Sequence, residues 1–599
     1  MPDITAPLRK SIVRIFTRKY NLQLHASALT FIAEAFDHHG LNHKQSQWDD
    51  AIEFLAKEFI NGEQYKEGSE GKSGFSLSSG WSSSLVTRAA LEAVYQQMMV
   101  SEENGNATAA SGGNRFEGAQ NGTIEYTHDG EKLSEGAGPD PANYFKVVGA
   151  FDMPRNVFDP HRKNFDKAAR GTFLPLAVAR PTVLRERLSV VKNIVLRNEN
   201  FLPPLALGKG REREQFMKLT SIKNLAGRQG QRFLLLGLLC TTDDGQYALE
   251  DLDGVVLLDL SEAIPGEGIF TEGCIILVEG EYTYSDRLKV FAIGHPPSEP
   301  RHEARAMYGH VDFLGTGSIT LKDEEVLKSY EQMHHEVCMV VISDLHLDHP
   351  KTLANFQTML QGYVDAKFVP FVFVLCGNFC SDVNGTGDVV KRYTDAFGRL
   401  ADIIEAFPDV LRTSHFVFVP GPNDPFPSKL LPKRPLPASM TQKLRDMAPN
   451  NIHFTTNPCR IRYFSQEVVI FREDLMARML RNVVQIKDEQ QEEEGVDLRK
   501  YLVSTILDQA HLCPLPQQVR PIAWDFDHTL RLYPMPTALI LADKYDRFDL
   551  TYETCKVFSP GSFRGTEYGW STFYFSSNSV ERRCVCGLPP AIGPVKLSS

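Results

Sequence analysis

Three apolar runs in the second half of the chain each stop at a small polar cluster. The runs span residues 337–342, 371–376 and 416–419. The polar residues that follow them are Asp344 and His346, then Asn378, then Asn423 and Asp424. Loops at strand ends can bring such side chains to one point of a rigid sheet. Carboxylates and imidazoles gathered there can hold two divalent ions about 3.5–4 Å apart, which clamp the attacking and leaving oxygens of a phosphoryl group.

The order of these clusters resembles the motifs of the calcineurin-like phosphoesterases. Their pattern runs Asp-x-His, Gly-Asp-x-x-Asp, Gly-Asn-His-Asp/Glu, a lone His and Gly-His-x-His. Asp344-Leu345-His346 keeps the first motif, whereas Asn378 stands at the position of the bridging Asp. A neutral amide cannot offset two dications, so this change alone should weaken a binuclear centre. Asn423 stands where the resemblance implies the catalytic His, which would orient or protonate the leaving oxygen.

The last two motifs are also altered. His511 is an echo of the lone His, and Asp543-Lys544 follows the strand at which the final His pair is expected. We expect Lys544 to add positive charge where a cation would sit. The vestigial positions are Asp344, His346, Asn378, Asn423, Asp424, His511 and Asp543. We predict an inactivated phosphoesterase with no catalytic residue, no cofactor and no metal.

Two interpretations of Asp344 and His346 remain open. They could hold one weakly bound metal, with His349 as a further ligand. They could instead be a satisfied polar pair at a strand end, left from an ancestor. The second interpretation is favoured because one Asp and one His are too few ligands for a stable site.

Length and charge limit the remaining possibilities. The chain has 599 residues, which suggests several domains, with 64 Lys and Arg against 75 Asp and Glu. A formal charge of −11 makes the chain a poor binder of bare nucleic acid by itself. The ten cysteines form no disulfide framework and fit a reducing compartment. No run approaches the roughly 20 apolar residues of a membrane span, and we expect no signal peptide.

The pattern along the chain predicts a multidomain α+β protein in five parts. They are a helical bundle at 1–100 with a Gly/Ser insert at 62–80, a disordered linker at 101–140, an OB-type β-barrel with flanking segments at 141–305, the inactivated phosphoesterase α/β sandwich at 306–583, and a tail of unknown role at 584–599. The position of the bundle before a linker favours a docking module on a tether. Acids crowd the turns of the barrel, which favours a structural role over single-strand binding.

An OB barrel before an inactivated phosphoesterase domain resembles the B subunits of the eukaryotic replicative DNA polymerases. Several local strings are similar to the B subunits of DNA polymerase epsilon in particular. These strings lie at 148–155, 454–461, 471–475, 531–536 and 542–545. The likeness covers roughly residues 5 to 583, although Asp344-Leu345-His346 keeps a motif that such subunits commonly lose.

The resemblance implies a non-catalytic scaffold subunit in the nucleus. Its barrel and phosphoesterase domains would grip the cysteine-rich C-terminal domain of the catalytic subunit. Its N-terminal domain would dock onto the GINS part of the replicative helicase. The small histone-fold subunits would be further partners, DNA would be contacted mainly indirectly, and no membrane would be involved. The alternatives are a metal-dependent phosphoesterase with residual activity and an OB-type binder of single-stranded DNA.

Overall fold

The computed structural model describes most of the chain from residue 139 onward and part of the region before it. The described residues are 6–19, 23–38, scattered positions between 48 and 95, 139–201, 218–381, 388–425, 429–487 and 497–585. The predicted Gly/Ser insert at 62–80, nearly all of the predicted linker and nearly all of the tail at 584–599 lie outside them. Two compact units, Met1–Pro139 and Asp140–Ser599, divide the chain.

The N-terminal unit contains helices where the sequence predicts them. Helix α1 spans Ala6–Val13 and continues as a π-helical turn, and α2 spans Ala26–His38. Between them, β1 (Gln23–Leu24) pairs in parallel with β2 (Leu85–Val86). The apolar positions at helical spacing form the core of this unit, in which Ile12, Phe16, Ile32 and Phe36 are fully buried. Whether the unit as a whole is a helical bundle stays a prediction, because much of it lies outside the described residues.

The larger unit opens with short elements before the barrel. The strands are β3 (Phe145–Gly149), β4 (Asn156–Asp159) and β5 (Asn164–Lys167), and the helix α3 spans Ala179–Val195. Strands β4 and β5 form an antiparallel hairpin. The inner face of α3 packs through Leu188, Val191 and Val195 onto the outer face of the barrel.

The predicted OB-type barrel is confirmed as a closed five-stranded barrel. Its strands are β7 (Arg232–Thr241), β8 (Tyr247–Glu250), β9 (Val255–Asp259), β12 (Ile275–Tyr282) and β13 (Arg287–Gly294), with β6 (Leu219–Thr220) and β10 (Ile264–Pro265) at its margins. Neighbouring strands pair in the order β13-β12-β7-β8-β9, and parallel pairing of β9 with β13 closes the ring. The β7–β8 turn uses Gly245 at a φ of +76°, a conformation that suits glycine.

Two six-stranded sheets make up the rest of this unit. The first sheet has the order β17 (Ile452–Phe454), β16 (His415–Val419), β15 (Val372–Cys376), β14 (Cys338–Ser343), β24 (Gly569–Tyr574) and β25 (Ser579–Cys584). The second has the order β22 (Phe548–Tyr552), β23 (Cys555–Ser559), β21 (Ala538–Leu541), β19 (Gln466–Phe471), β18 (Cys459–Tyr463) and β3.

Helices cover the outer face of each sheet. They are α4 (Arg301–Tyr308), α5 (Leu321–Met333), α6 (Pro350–Asp365), α7 (Val389–Glu405), α8 (Pro408–Thr413), α9 (Ala438–Met447), α10 (Leu475–Arg481) and α11 (Leu498–Asp508). Strand β14 shows the layering, because Met339 and Val341 face the second sheet while Val340 and Ile342 face α6 and α7. A strand buried on both faces is a continuous apolar run in the sequence. The predicted α/β sandwich is thus confirmed.

The barrel and the sandwich interlock. Strand β3, which precedes the barrel in sequence, is an edge strand of the second sheet and pairs with β18. Strand β11 (Ile269–Thr271), within the barrel region, pairs with β20 (Val483–Ile486) from the sandwich. The division at 305 stays a prediction. In the part of the chain that the structure describes, no helix is long and apolar enough to cross a membrane.

Candidate functional site

Five strand ends from the two sheets meet at one edge of the sandwich. In the first sheet, β14, β15 and β16 run parallel and lead into Asp344, Asn378 and Asp424. In the second sheet, β19 and β21 run parallel and lead into Arg472 and Asp543. Parallel strands bring their carboxyl ends to the same edge of a sheet, where ligands bind in open α/β folds. The fold therefore gathers five polar side chains from distant parts of the sequence.

A fully buried guanidinium, that of Arg472, lies between these loops. Its Nη2 donates to Asp344 Oδ1 at 2.7 Å, its Nη1 to Asp474 Oδ1 at 2.8 Å, and its Nε to the carbonyl of Gly377. Burial raises the pKa of Asp344, but the charge of Arg472 brings that pKa below its ordinary value. The surviving carboxylate of the first motif is thus ionised and already paired with a cation from the protein itself.

Asn378 links two of the motif loops as a neutral amide. Its Nδ2 and its backbone N–H both donate to Asp344 Oδ1 at 3.1 Å, and its Oδ1 accepts from the backbone N–H of Asn423 at 2.9 Å. An ionised carboxylate cannot donate, so an Asp here could not make the side-chain bond to Asp344. Asn378 fits a site that contains no metal to bridge.

Asp424 is held inside its own loop. Its Oδ1 accepts from the backbone N–H of Phe379 and from Tyr393 Oη, and its Oδ2 accepts from the backbone N–H of Gly421. The loops approach so closely that a Cβ on Gly377 would lie 1.9 Å from Asp424 Oδ2. Asp424 therefore fastens the second and third motif loops together and contributes no free oxygen to the site.

His346 lies beside the cluster with few polar contacts. Its backbone N–H donates to the carbonyl of Asn378 at 3.2 Å, and its ring Nδ1 is buried without a hydrogen-bond partner among the described residues. Burial lowers the pKa of this histidine. His349, which the sequence suggested as a further ligand, has its Nε2 3.0 Å from Arg564 Nη1. A neighbouring arginine does not favour a cation at that nitrogen.

The structure places His511 in a different cluster. Its Nδ1 accepts from the backbone N–H of Cys513 at 3.0 Å, and its Nε2 lies 3.4 Å from Asp527 Oδ1. Burial lowers the pKa of His511 to about 4, so the ring is neutral at neutral pH. The suggested echo of the lone metal-binding histidine is therefore occupied elsewhere.

Asp543 and Lys544 also differ from what the sequence suggested. Asp543 accepts from the backbone N–H groups of Met476 at 2.9 Å and Tyr545 at 3.0 Å, so it holds the start of α10. Lys544 is more than half exposed, with its Nζ 3.8 Å from Asp474 Oδ2. The expectation that Lys544 supplies the buried positive charge is wrong, because Arg472 supplies it. Among the described residues, no group of three His, Cys, Asp or Glu side chains is placed to hold a metal ion.

Two buried cations were missed at the sequence level. Arg472 follows the apolar run of β19 within the string Arg472-Glu473-Asp474, so the rule that identified the other strand ends could have found it. Lys433 lies under the third motif loop, and its Nζ donates to the carbonyls of Gly421 and Asp424. Burial lowers the pKa of Lys433 to about 8. No local sequence pattern marks Lys433, because its partners are backbone oxygens.

Known proteins match both domains of the larger unit. A family model for the B subunit of DNA polymerase alpha/epsilon matches residues 339–550, and one described as DNA polymerase epsilon subunit 2-like, OB-fold domain matches residues 177–297. The B subunit of DNA polymerase epsilon from Schizosaccharomyces pombe is 33% identical over 588 residues, which cover 95% of this chain and 94% of the relative. This chain belongs to the family of DNA polymerase epsilon B subunits. Subunit 2 of Mus musculus is 38% identical over 446 residues (73% of this chain, 82% of the relative), and the B subunit of Arabidopsis thaliana is 34% identical over 472 (78% and 86%).

Family membership confirms the resemblance seen in the sequence and makes the chain an accessory subunit of DNA polymerase epsilon. The first family match begins within β14 and includes every vestigial position from Asp344 to Asp543. Among solved structures, an archaeal phosphodiesterase aligns with 41% of this chain and 99% of its own length at 12% identity and a TM-score of 0.23, which is too low to bear on fold or activity.

Proposed function

We propose that this accessory subunit is a non-hydrolytic scaffold of DNA polymerase epsilon in the nucleus. Its barrel and sandwich hold the cysteine-rich C-terminal domain of the catalytic subunit. Its N-terminal unit docks onto the GINS part of the replicative helicase, and DNA is contacted mainly through partners. The small histone-fold subunits belong to the same assembly.

The observation that carries the non-hydrolytic role is the buried guanidinium of Arg472. A binuclear centre needs free carboxylates, but Asp344 is paired with Arg472 and Asp424 accepts three hydrogen bonds from its own loops. A divalent ion beside Arg472 would meet a positive charge that burial leaves poorly screened. The former active-site edge therefore supports structure and offers no site for phosphoryl chemistry.

The scaffold role is supported by the rigid junction between barrel and sandwich. Gln509 at the end of α11 accepts from the N–H of Ile275 at 2.6 Å and donates to its carbonyl at 2.7 Å. Thr505 accepts from the N–H of Ile269 at 2.9 Å, and Thr271 donates to the carbonyl of Pro514 at 2.6 Å. These bonds are buried, so hinge motion between the two domains would leave polar groups unsatisfied. A partner can thus bind one continuous, pre-formed surface.

We expect no metal-dependent hydrolysis from the purified chain. With bis-p-nitrophenyl phosphate and Mn²⁺, turnover should equal that of the buffer blank, because the carboxylates of the site are already satisfied. Asp344→Ala should leave this baseline unchanged, and metal analysis should find substoichiometric Mn²⁺ and Zn²⁺. Turnover that disappears in Asp344→Ala would show that a catalytic metal still binds.

Removal of residues 1–100 should separate the two binding functions. The division of the chain at Pro139 predicts that the larger unit folds without the N-terminal unit. In pull-downs, the truncated chain should retain the C-terminal domain of the catalytic subunit and lose GINS. Retention of GINS by the truncated chain would contradict docking through the N-terminal unit, and loss of the catalytic subunit would contradict the scaffold surface.

A further inference from the structure

A run of exposed apolar side chains precedes α3. Leu174 is 87% exposed, Leu176 79% and Val178 62%, the largest such values within one short segment of the described chain. Large aliphatic side chains exposed together mark an interaction surface in soluble proteins. We call residues 173–180 the apolar loop.

Both ends of the apolar loop are anchored to the body of the protein. At its start, Phe173 packs on Phe526 and Phe151, with ring centroids 4.8 and 5.4 Å apart, while the Arg434 guanidinium lies 4.2 Å from the Phe173 centroid. The backbone N–H of Thr172 donates to Asp525 at 3.0 Å. At its end, the chain enters α3 with a hydrogen bond from Ala179 N–H to the carbonyl of Leu176. The exposed leucines are thus presented by a fixed support, which lowers the entropy cost of binding.

The surroundings of the apolar loop are basic in an acidic chain. Residues 161–185 contain six Lys and Arg and one Asp, whereas the whole chain has a net charge of −11. Five of these cations have no ion-pair partner among the residues that the structure describes: Lys163, Lys167, Arg170, Arg180 and Arg185. Unpaired cations around an apolar patch attract a partner of negative charge.

The start of α3 adds to this positive potential. No acidic residue lies in its first turn, and no side chain caps its amino end, where Val178 stands. The positive end of the helix dipole therefore faces the apolar loop without compensation. A carboxylate near Arg180 would be favoured both by the dipole and by the guanidinium.

We propose that the apolar loop and its basic rim form a docking surface for an acidic peptide segment of another protein, one that carries large apolar anchors among Asp and Glu. Leu174, Leu176 and Val178 receive the anchors, and Arg170, Arg180 and Arg185 receive the carboxylates. Nucleic acid is disfavoured as the partner because the exposed side chains are aliphatic and bases stack on aromatic rings. The one aromatic ring in the loop, Phe173, is already packed against Phe526, Phe151 and Arg434.

The test measures fluorescence polarisation of a labelled peptide rich in Asp and Glu, with Leu or Phe at every third or fourth position, titrated with the full-length chain. Leu174→Ser with Leu176→Ser should weaken binding by at least about tenfold, since each leucine would lose its apolar burial. Arg170→Glu with Arg180→Glu should weaken binding by a similar factor and reduce its dependence on salt. The substituted side chains are exposed, so the thermal unfolding midpoint should not change.

Matched controls keep the test specific. Leu321→Ser with Val326→Ser changes two half-exposed apolar side chains on α5, and Lys351→Glu changes an exposed cation on α6. Both controls should bind the peptide like the unmodified chain. Equal binding of a peptide whose Leu and Phe are replaced by Ser would overturn the proposal. So would tighter binding of oligothymidylate to the same loop, or a dimer of the chain that disappears in the Leu174 and Leu176 variant.

This surface is independent of the proposed scaffold role. Co-purification with the catalytic subunit can be measured on the same variants. Loss of peptide binding with the catalytic subunit retained supports a separate docking surface. Loss of the catalytic subunit in these variants would instead assign the apolar loop to that interface.

Discussion

Replacing Arg472 with methionine is expected to lower the free energy of unfolding of the larger unit by roughly 3–5 kcal/mol. The substitution keeps the length of the side chain but leaves the buried carboxylate of Asp344 without a cation. The carbonyl of Gly377 also loses a donor. Urea denaturation followed by tryptophan fluorescence would measure the change.

A second substitution distinguishes the lost charge pair from lost packing. Asp344→Asn in the Arg472→Met background removes the uncompensated charge, and Asn tolerates the positive φ of 54° at this position. The double variant should recover a large part of the stability. Arg412→Met, which alters an exposed arginine paired only with Asp409, should have no measurable effect. If the double variant is as unstable as Arg472→Met alone, the carboxylate is not the cause.

The effect of Arg472→Met should depend on pH in a defined direction. In the unmodified protein the pKa of Asp344 is lowered, so its pair with Arg472 stabilises the fold above the unfolded pKa, and this stabilisation is lost as pH falls through the folded pKa. Without Arg472, burial alone raises the pKa of Asp344, and the carboxyl can become neutral at higher pH. The difference in stability between the two proteins should therefore narrow as pH falls from about 7 towards about 4. A difference that stays constant over that interval would contradict the pairing.

Replacing Arg187 with methionine is expected to have the second largest effect, at the lower end of roughly 3–5 kcal/mol because its pair is slightly exposed. Arg187 on α3 donates through Nε to Asp527 Oδ2 at 2.9 Å and through Nη2 to Oδ1. Burial raises the pKa of Asp527, but the charge of Arg187 brings it well below its ordinary value. Loss of Arg187 leaves this carboxylate facing the neutral ring of His511. Thermal unfolding of the purified chain would measure the shift.

Two comparison variants test this explanation. Arg187→Met with Asp527→Asn should recover much of the lost stability, because no unpaired charge remains. Arg180→Met, on the same helix at an exposed position, should unfold like the unmodified chain. An equal loss of stability in Arg180→Met would mean that helix α3 is weakened in general, without any role for the buried pair.

The sequence predicted the sandwich well because its signals are local. Strands β14, β15 and β16 are unbroken apolar runs, and each is followed by a polar loop, so both their type and their ends could be located. The barrel was predicted for a similar reason, from short strands and glycine turns. The edge strand β3 was assigned to the barrel region because it precedes the barrel in sequence, and only pairing with β18 places it in the second sheet.

The sequence by itself determined that a phosphoesterase-like edge exists and that Asn378 and Asn423 replace the residues such chemistry needs. Only the tertiary structure decided what occupies that edge. The residue identities at 344 and 378 do not reveal that Arg472, 128 positions after Asp344, ends a strand of the other sheet and turns its guanidinium onto the same carboxylate. Nor do they reveal that His511 pairs with Asp527 or that Lys544 reaches solvent. Motifs record which side chains are available, whereas the charge balance of a buried site depends on partners that only the packing of two sheets brings together.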